Sequence, residues 1–358
     1  MACRAAVSGI AIVVWTVAFA TRTSAQPGSS RENQGLSLEA IAPALYAQLV
    51  GVERAQGVLF NALSIQKGKI DEAAVLQRLT RRVSDTAAAS GVDSEADRGF
   101  EVLGKRGAAL IQGGFAFHRE VIAIYTSIPP DQRKGALDAA VRRYRSGGLA
   151  LPDAAKDMSI LYDHAYTSFV PPTPPELEPR RELPYPKLTG FMWAARWYEL
   201  AVVEPLEGFG DATERDRGLA TVAGRFRAKL SFGSAPNAFP TELPLAPAIA
   251  PGLVALHDRS AAVIDNLNMM LDVLADVLVH PAVADRRAAV DEVIGRFADR
   301  QYRCVQVDEW IVVALRHSIF AQGGPALASM TTQERNAFSG VHGQHYGPRR
   351  VPPACDPE

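Results

Sequence analysis

Seven prolines fall within residues 170–186, a density that neither a helix interior nor a central strand accepts, because proline lacks the amide donor and fixes its own φ. Whatever folds on either side must stop there. A second cluster, with five prolines in residues 236–251, sets another break. We therefore expect residues 170–186 to be an extended connector laid over the surface, and we place the main domain boundary on it. An N-terminal helical subdomain is expected over 37–169 and a C-terminal one over 187–322. A tail over 323–358 follows, containing one short helix.

Between these breaks the apolar residues recur with helical period. Leu45, Leu49, Val52, Leu59 and Leu63 fall near one face, with Pro43 close to the start, where proline is tolerated. Val75, Leu79 and Val83 align in a second helix over 70–89. Ser94 is placed to cap a third, with Asp97 three residues on. Its glycines Gly104, Gly107, Gly113 and Gly114 imply either a very close neighbour or a break at Gly113-Gly114. Pro129-Pro130-Asp131 opens a helix that Gly147-Gly148 closes. Residues 188–203 are apolar on most sides, which places that helix in the middle of a core, with Arg196 and Glu199 spaced to pair.

Residues 252–279 read as an amphipathic surface helix. Leu256, Val263, Leu267, Met270, Leu274 and Leu278 share one arc, and Asp258, Asp265, Asp272 and Asp276 lie opposite. His280-Pro281 divides it from a helix through Val290, Val293, Ile294 and Phe297. Residues 307–319 follow the helical period, although the run 310–315 also suits a strand. Thr331 with Glu334 has the form of a capping box opening the last short helix. Strands and helices do not alternate, so the expected class is all-α, with two bundle-like helical subdomains.

The N-terminus carries an address. Arg4, an apolar run over 10–20 and the small polar stretch 21–25 make the three parts of a secretory signal peptide over 1–25, with Ala20 as the second cleavage point. The run is shorter than the roughly 20 residues that span a bilayer, and no later segment of that length is free of charge, so no integral membrane span is expected after cleavage. Of the 38 basic and 39 acidic residues, cleavage removes Arg4 and Arg22, leaving a formal charge of −3. That near-neutral balance offers no general field for nucleic acid. In an oxidising compartment the two remaining cysteines, Cys304 and Cys355, are expected to form one disulfide, whose loop of about 50 residues contributes on the order of 4 kcal/mol in the chain-entropy treatment.

Few residues announce chemistry. His164 with Asp163, in a segment dense in polar aromatics, and His118 with Glu120 are the candidate catalytic pairs. Asp272 and Asp276, one turn apart, are the carboxylates able to share a hard cation. His342 and His345 are the nearest approach to a transition-metal ligand pair, without the third ligand such a site needs. Ser64-Ile65-Gln66-Lys67 matches a Ser-x-x-Lys nucleophile motif but has none of its companion motifs. No cofactor is expected. The reading is an exported, non-enzymatic binding or structural protein with an envelope or extracellular partner. The alternatives are a secreted hydrolase using His164 or His118 in a cleft between the subdomains, and a carrier of an apolar ligand built around Trp193 and Trp197. Under the export reading, N-terminal sequencing of protein recovered from its native compartment should begin at Gln26; a chain intact from Met1 would refute it.

Overall fold

Helices carry almost the whole path, and the leucine and valine spacing accounts for most of them. The computed structural model describes residues 36–65, 70–84, 91–164, 169, 184–207, 212–232 and 244–318, all within the unit that begins at Gly35. In chain order these form α1 (Leu38–Ile41), α2 (Pro43–Ile65), α3 (Glu72–Ser84), α4 (Ser94–Glu101), α5 (Gly104–Ser127) and α6 (Pro130–Ser146). After a 3-10 helix at Met158–Tyr162 come α7 (Pro186–Ala201), α8 (Glu204–Glu207), α9 (Ala212–Phe232), α10 (Ala246–Ile249), α11 (Pro251–Val279), α12 (Arg286–Ala298) and α13 (Val307–Ser318). The protein is all-α. Among the described residues the β-structure is one isolated antiparallel bridge, between Lys156 and Cys304. The signal segment, Lys67, nearly all of the proline connector, Thr331, His342, His345 and Cys355 lie outside the described residues.

The core does not divide at the proline connector. Leu59 and Leu63 of α2, Ile111 and Val121 of α5, Leu188 and Trp197 of α7, Leu267 and Leu271 of α11 and Ile294 of α12 belong to one apolar cluster. α11 packs against α2, α5 and α6 from the first half and against α8, α10 and α12 from the second. Each fully buried leucine or isoleucine contributes about 1.5–3 kcal/mol, so segments sharing this core are held by the same interaction. The described residues thus give no separate cores for the two expected subdomains.

Helix α11 is a correction to the surface-helix expectation. Asp265 and Asp276 are fully buried, Asp272 is 9% exposed, and buried residues cover every side of the helix from Ser260 to Val279. The aspartate stripe faces protein. Asp258 alone of the four stays partly exposed, at the end where the helix emerges. There α11 kinks: His257 leaves helical geometry (φ −158°, ψ 80°), and its Nδ1 accepts the Ser260 amide at 3.1 Å. That side-chain cap satisfies one of the first-turn amides that a restarting helix leaves without a carbonyl.

Smaller differences have local causes. Asp93, one residue before Ser94, caps α4 by accepting the amides of Glu95 and Ala96. The break in the glycine-rich segment falls at Val102-Leu103, where Gly104 takes φ +72°, and α5 then runs unbroken through Gly113-Gly114. The close neighbours are real: a Cβ on Gly114 would meet Leu267 of α11 at 2.9 Å, and one on Gly107 would meet Ile294 of α12 at 2.5 Å. Residues 310–315 are helical, within α13. Lys156 is buried with its Nζ donating to the carbonyls of Asp299 (2.8 Å) and Tyr302 (2.6 Å), which ties residues 155–157 to the turn after α12. Cys304 is buried opposite it in the bridge.

The tightest crossing is between α2 and α4. A Cβ on Gly99 would lie 1.7 Å from the Gly57 carbonyl oxygen, against backbone that cannot swing away. Gly135 in α6 has no neighbour within 4 Å of the same construction. Gly99→Ala is expected to destabilise by about 3 kcal/mol through overpacking, whereas Gly135→Ala should stabilise by about 0.5–1 kcal/mol through helix propensity. Urea unfolding of the two variants checks the contrast, and equal midpoints would show that the crossing is looser than described.

Candidate functional site: a groove at the kink of α11

The kink opens a groove. Its volume is about 790 Å³, and its apolar walls come from Pro247 of α10, Pro251, Val254 and Leu256 of α11, and Val307, Ile311 and Leu315 of α13. The last three recur four residues apart, so they form one stripe of α13. Lys134 and Asp138 of α6, with His257, Asp258 and Arg259 of α11, make the polar rim. On that rim His257 Nε2 contacts Asp138 Oδ1 at 3.1 Å and Arg259 pairs with Asp153, which Arg145 also meets at 3.2 Å. Lys134 is exposed and has no ion pair among the described residues.

Both walls hang on one carboxylate behind the groove. Asp265 accepts the Ala246 amide at 2.9 and 3.0 Å on its two oxygens and the Trp310 indole N–H at 3.1 Å. Ala246 begins α10, and Trp310 stands on α13 between the wall residues Val307 and Ile311 in the chain, with its indole N–H on Asp265 and outside the groove lining. Burial pushes the Asp265 carboxyl up to about 7, opposed by the Ala246 amide, the Arg196 charge and the Trp310 indole.

A second polar feature is sealed in the core. On α7, Arg196 pairs with Asp272 of α11 and also donates to the Asn268 carbonyl. One turn on, Glu199 accepts Gln56 Nε2 of α2 at 2.9 Å, and on α2 Glu53 pairs with Arg119 of α5. His118 of α5 donates from Nε2 to the Glu199 carbonyl at 2.9 Å. Burial raises Glu199 to about 8, with the Glu53 charge adding to it and Gln56 and Arg196 opposing. Burial likewise lowers His118 to about 4, so its ring is neutral at pH 7. Arg119–Glu53, a protonated Glu199, and Arg196–Asp272 thus form a seam of two ion pairs with a neutral acid between them. Glu53 Oε1 and Gln56 Oε1 have no hydrogen-bond donor among the described residues, and a proton on Glu199 supplies one in their neighbourhood.

Comparison with families, characterised proteins and solved structures finds no match. The chemistry has to be read from this chain alone.

The catalytic candidates are dispersed. His164 meets Asp276 of α11 at 2.7 Å rather than its neighbour Asp163, which accepts the Tyr302 hydroxyl at 2.6 Å and pairs with Arg303. Glu120 pairs with Arg143 of α6 while His118 points to α7, so the two residues of that candidate pair part company. Asp272 and Asp276, the candidate cation ligands, are taken by Arg196 and His164 respectively. Among the described residues no group of three His, Cys, Asp or Glu side chains is able to hold a metal ion. Trp193 and Trp197 pack under Lys229 of α9, whose Nζ lies 4.8 and 4.6 Å from their rings, and neither lines the groove.

One composition imitates a hydrolytic triad. Ser260, His257 and Asp138 are neighbours, but Nδ1 of His257 is occupied by the Ser260 amide and Nε2 faces Asp138, while Ser260 Oγ is fully buried with no hydrogen-bond partner among the described residues. A general base must reach the hydroxyl proton, and this one does not. The groove, its Asp265 support and the Glu53–Gln56–Glu199 cluster are not legible in the sequence. A faint signal was present in Glu53 and Gln56, polar residues in the apolar register of α2.

The seam makes stability pH-dependent with a definite sign. Glu199 is raised above its unfolded value, so its contribution is complete below about pH 4.5 and is lost as pH rises through about 8. Glu199→Gln keeps a donor and an acceptor without the proton to lose. The variant should gain stability relative to the parent between pH 6 and pH 9, read as a growing difference in denaturation midpoint. An unchanged difference across that range would mean Glu199 is ionised in the fold.

Proposed function

We propose that the chain is an exported, non-enzymatic binding protein that holds a small amphipathic ligand, with an apolar body and a polar head, in the groove at the α11 kink. One observation carries this reading: a concavity of about 790 Å³ lined by apolar residues of α10, α11 and α13 and by charged residues of α6 and α11. That volume lies in the range of small-molecule sites, and a lining that offers both apolar and charged side chains matches an amphipathic guest. Lys134 and Asp258 leave both signs of charge at the mouth for the head group. The hydrolase reading finds less support, because His118 and His164 lie in different surroundings and the Ser260–His257–Asp138 neighbourhood is misaligned. The reading of Trp193 and Trp197 as a carrier's lining also loses ground, since Lys229 covers them. Export rests on the N-terminal residues, and among the described residues no helix is long and apolar enough to cross a membrane.

The test uses anilinonaphthalene sulfonate, an apolar ring system with a charged head, as a fluorescent probe of the folded protein. Ile311→Asp puts a charge on the apolar wall at a partly exposed position and should weaken probe binding about tenfold or more, equivalent to about 1.4 kcal/mol, while circular dichroism stays unchanged. Trp193→Phe should leave binding intact. The reverse pattern would move the site to the tryptophans under α9 and remove the groove reading.

A further inference from the structure

We propose that Asp265 is the positioning residue of this groove, a single carboxylate that fastens both walls to α11 so that its protonation and the occupation of the groove are linked. This rests on the groove being the ligand site. The geometry is a three-way clamp. Asp265 is fully buried, and its two oxygens accept the Ala246 amide and the Trp310 indole N–H. Ala246 is followed by Pro247 of the α10 wall, and Trp310 lies between Val307 and Ile311 of the α13 wall. The walls also pack on each other directly, so a shift of either is felt by both.

Protonation reverses the sense of this clamp. An ionised carboxylate only accepts, which suits a site facing an amide and an indole that only donate. A protonated one carries an O–H on an oxygen that already accepts a donor, Oδ1 from Ala246 or Oδ2 from both Ala246 and Trp310, so the contact at that oxygen weakens or the proton turns away from it. The charged surroundings are few. α7 contributes Arg196, α10 has no charged residue, and Asp308 and Glu309 of α13 are exposed. Burial outweighs Arg196 and the two hydrogen bonds and brings the carboxyl to about 7, which places the change in the neutral range. The ionised form holds the walls as they stand, so a guest that needs those walls binds it better. By linkage that guest draws the proton off Asp265.

Two measurements test the coupling. Binding of anilinonaphthalene sulfonate, whose charge is constant in this range, should weaken by about threefold or more from pH 8 to pH 6 through one linked proton. In Asp265→Asn that dependence should flatten. His257 and Asp138 remain on the rim in the variant, so any dependence arising from them persists and is separated from that of Asp265. In the unmodified protein the Trp310 indole N–H resonance, assigned by its loss in Trp310→Phe, should titrate with a midpoint near 7. This reading needs no variant and holds if Asp265→Asn fails to fold. An indole resonance unmoved between pH 5.5 and 8.5, or equal pH dependence of probe binding in Asp265→Asn, overturns the inference. If Ile311→Asp still weakens the probe in that case, the groove stands and only the coupling is lost. If Ile311→Asp has no effect, the groove reading itself has failed.

Discussion

A carboxylate taken out of water has to be matched by a charge and by hydrogen-bond donors, or it takes up a proton, and α11 carries three into the core. Asp272 is matched by Arg196 of α7, Asp276 by His164, and Asp265 by an amide of α10 and the indole of α13. Removing one partner from such a buried pair costs about 3–5 kcal/mol, because the remaining charge is stranded. The placement of α7, α10 and α13 around α11 is therefore set by polar matching as well as by apolar area. Apolar contact alone would tolerate sliding by a turn; a carboxylate with fixed donors does not.

The same constraint favours a proton on Glu199. Arg119 and Arg196 supply two positive charges to the seam, and Glu53 and Asp272 use them. A third carboxylate would be a charge without a counterion beside Glu53, and taking a proton is the less costly outcome. An ion-paired seam of this kind adds little net stability over well-packed apolar residues of the same size. What it adds is register: Gln56 meets Glu199, and Arg196 meets Asp272, only when α2, α7 and α11 are aligned as they are. The raised carboxyls of Glu53, Glu199 and Asp272 all favour lower pH, whereas the buried Lys156, brought down to about 7, favours higher pH, since its contribution is lost as pH falls from about 10.5 through 7. The two trends oppose one another, so these groups together contribute least near neutral pH, where the carboxyl contributions have been lost and that of Lys156 has not yet been gained.

The helices were legible in the sequence because their signal is local. Leu45 to Leu63, the Pro130 start and the run 188–203 each state a helix without reference to anything distant. The burial of α11 was not legible. Aspartates spaced along one face look the same whether water or an arginine from α7 compensates them, and Arg196 lies 76 residues from Asp272 in the chain. His164 with Asp276 and Trp310 with Asp265 are also remote pairings, 112 and 45 residues apart, whereas the sequence places His164 beside Asp163. The groove was invisible for a further reason: its floor is built from prolines and valines that, taken alone, look like ordinary core.

The position of the groove follows from where α11 stops being covered. From Ser260 onward the helix is wrapped by neighbours, and at His257 it breaks, the residues before the kink being at least partly exposed except for Leu253 and Val254. A broken helix exposes amides that need acceptors, and His257 supplies one while Asp138 holds the imidazole from α6. Arg259 then joins Asp153, which Arg145 also meets, so apart from Lys134 and Asp258 the rim is a connected set of ion pairs. A guest entering here would meet walls fixed by Asp265 and a rim fixed by Asp138 and Asp153. Since immobilising a flexible side chain on binding costs about 0.5–1.5 kcal/mol, a mouth already ordered in the free protein spares much of that cost. The kink thus joins the two demands on α11: its interior aspartates hold the surrounding helices in place, and its freed end presents a shaped, pre-ordered surface made from those same helices.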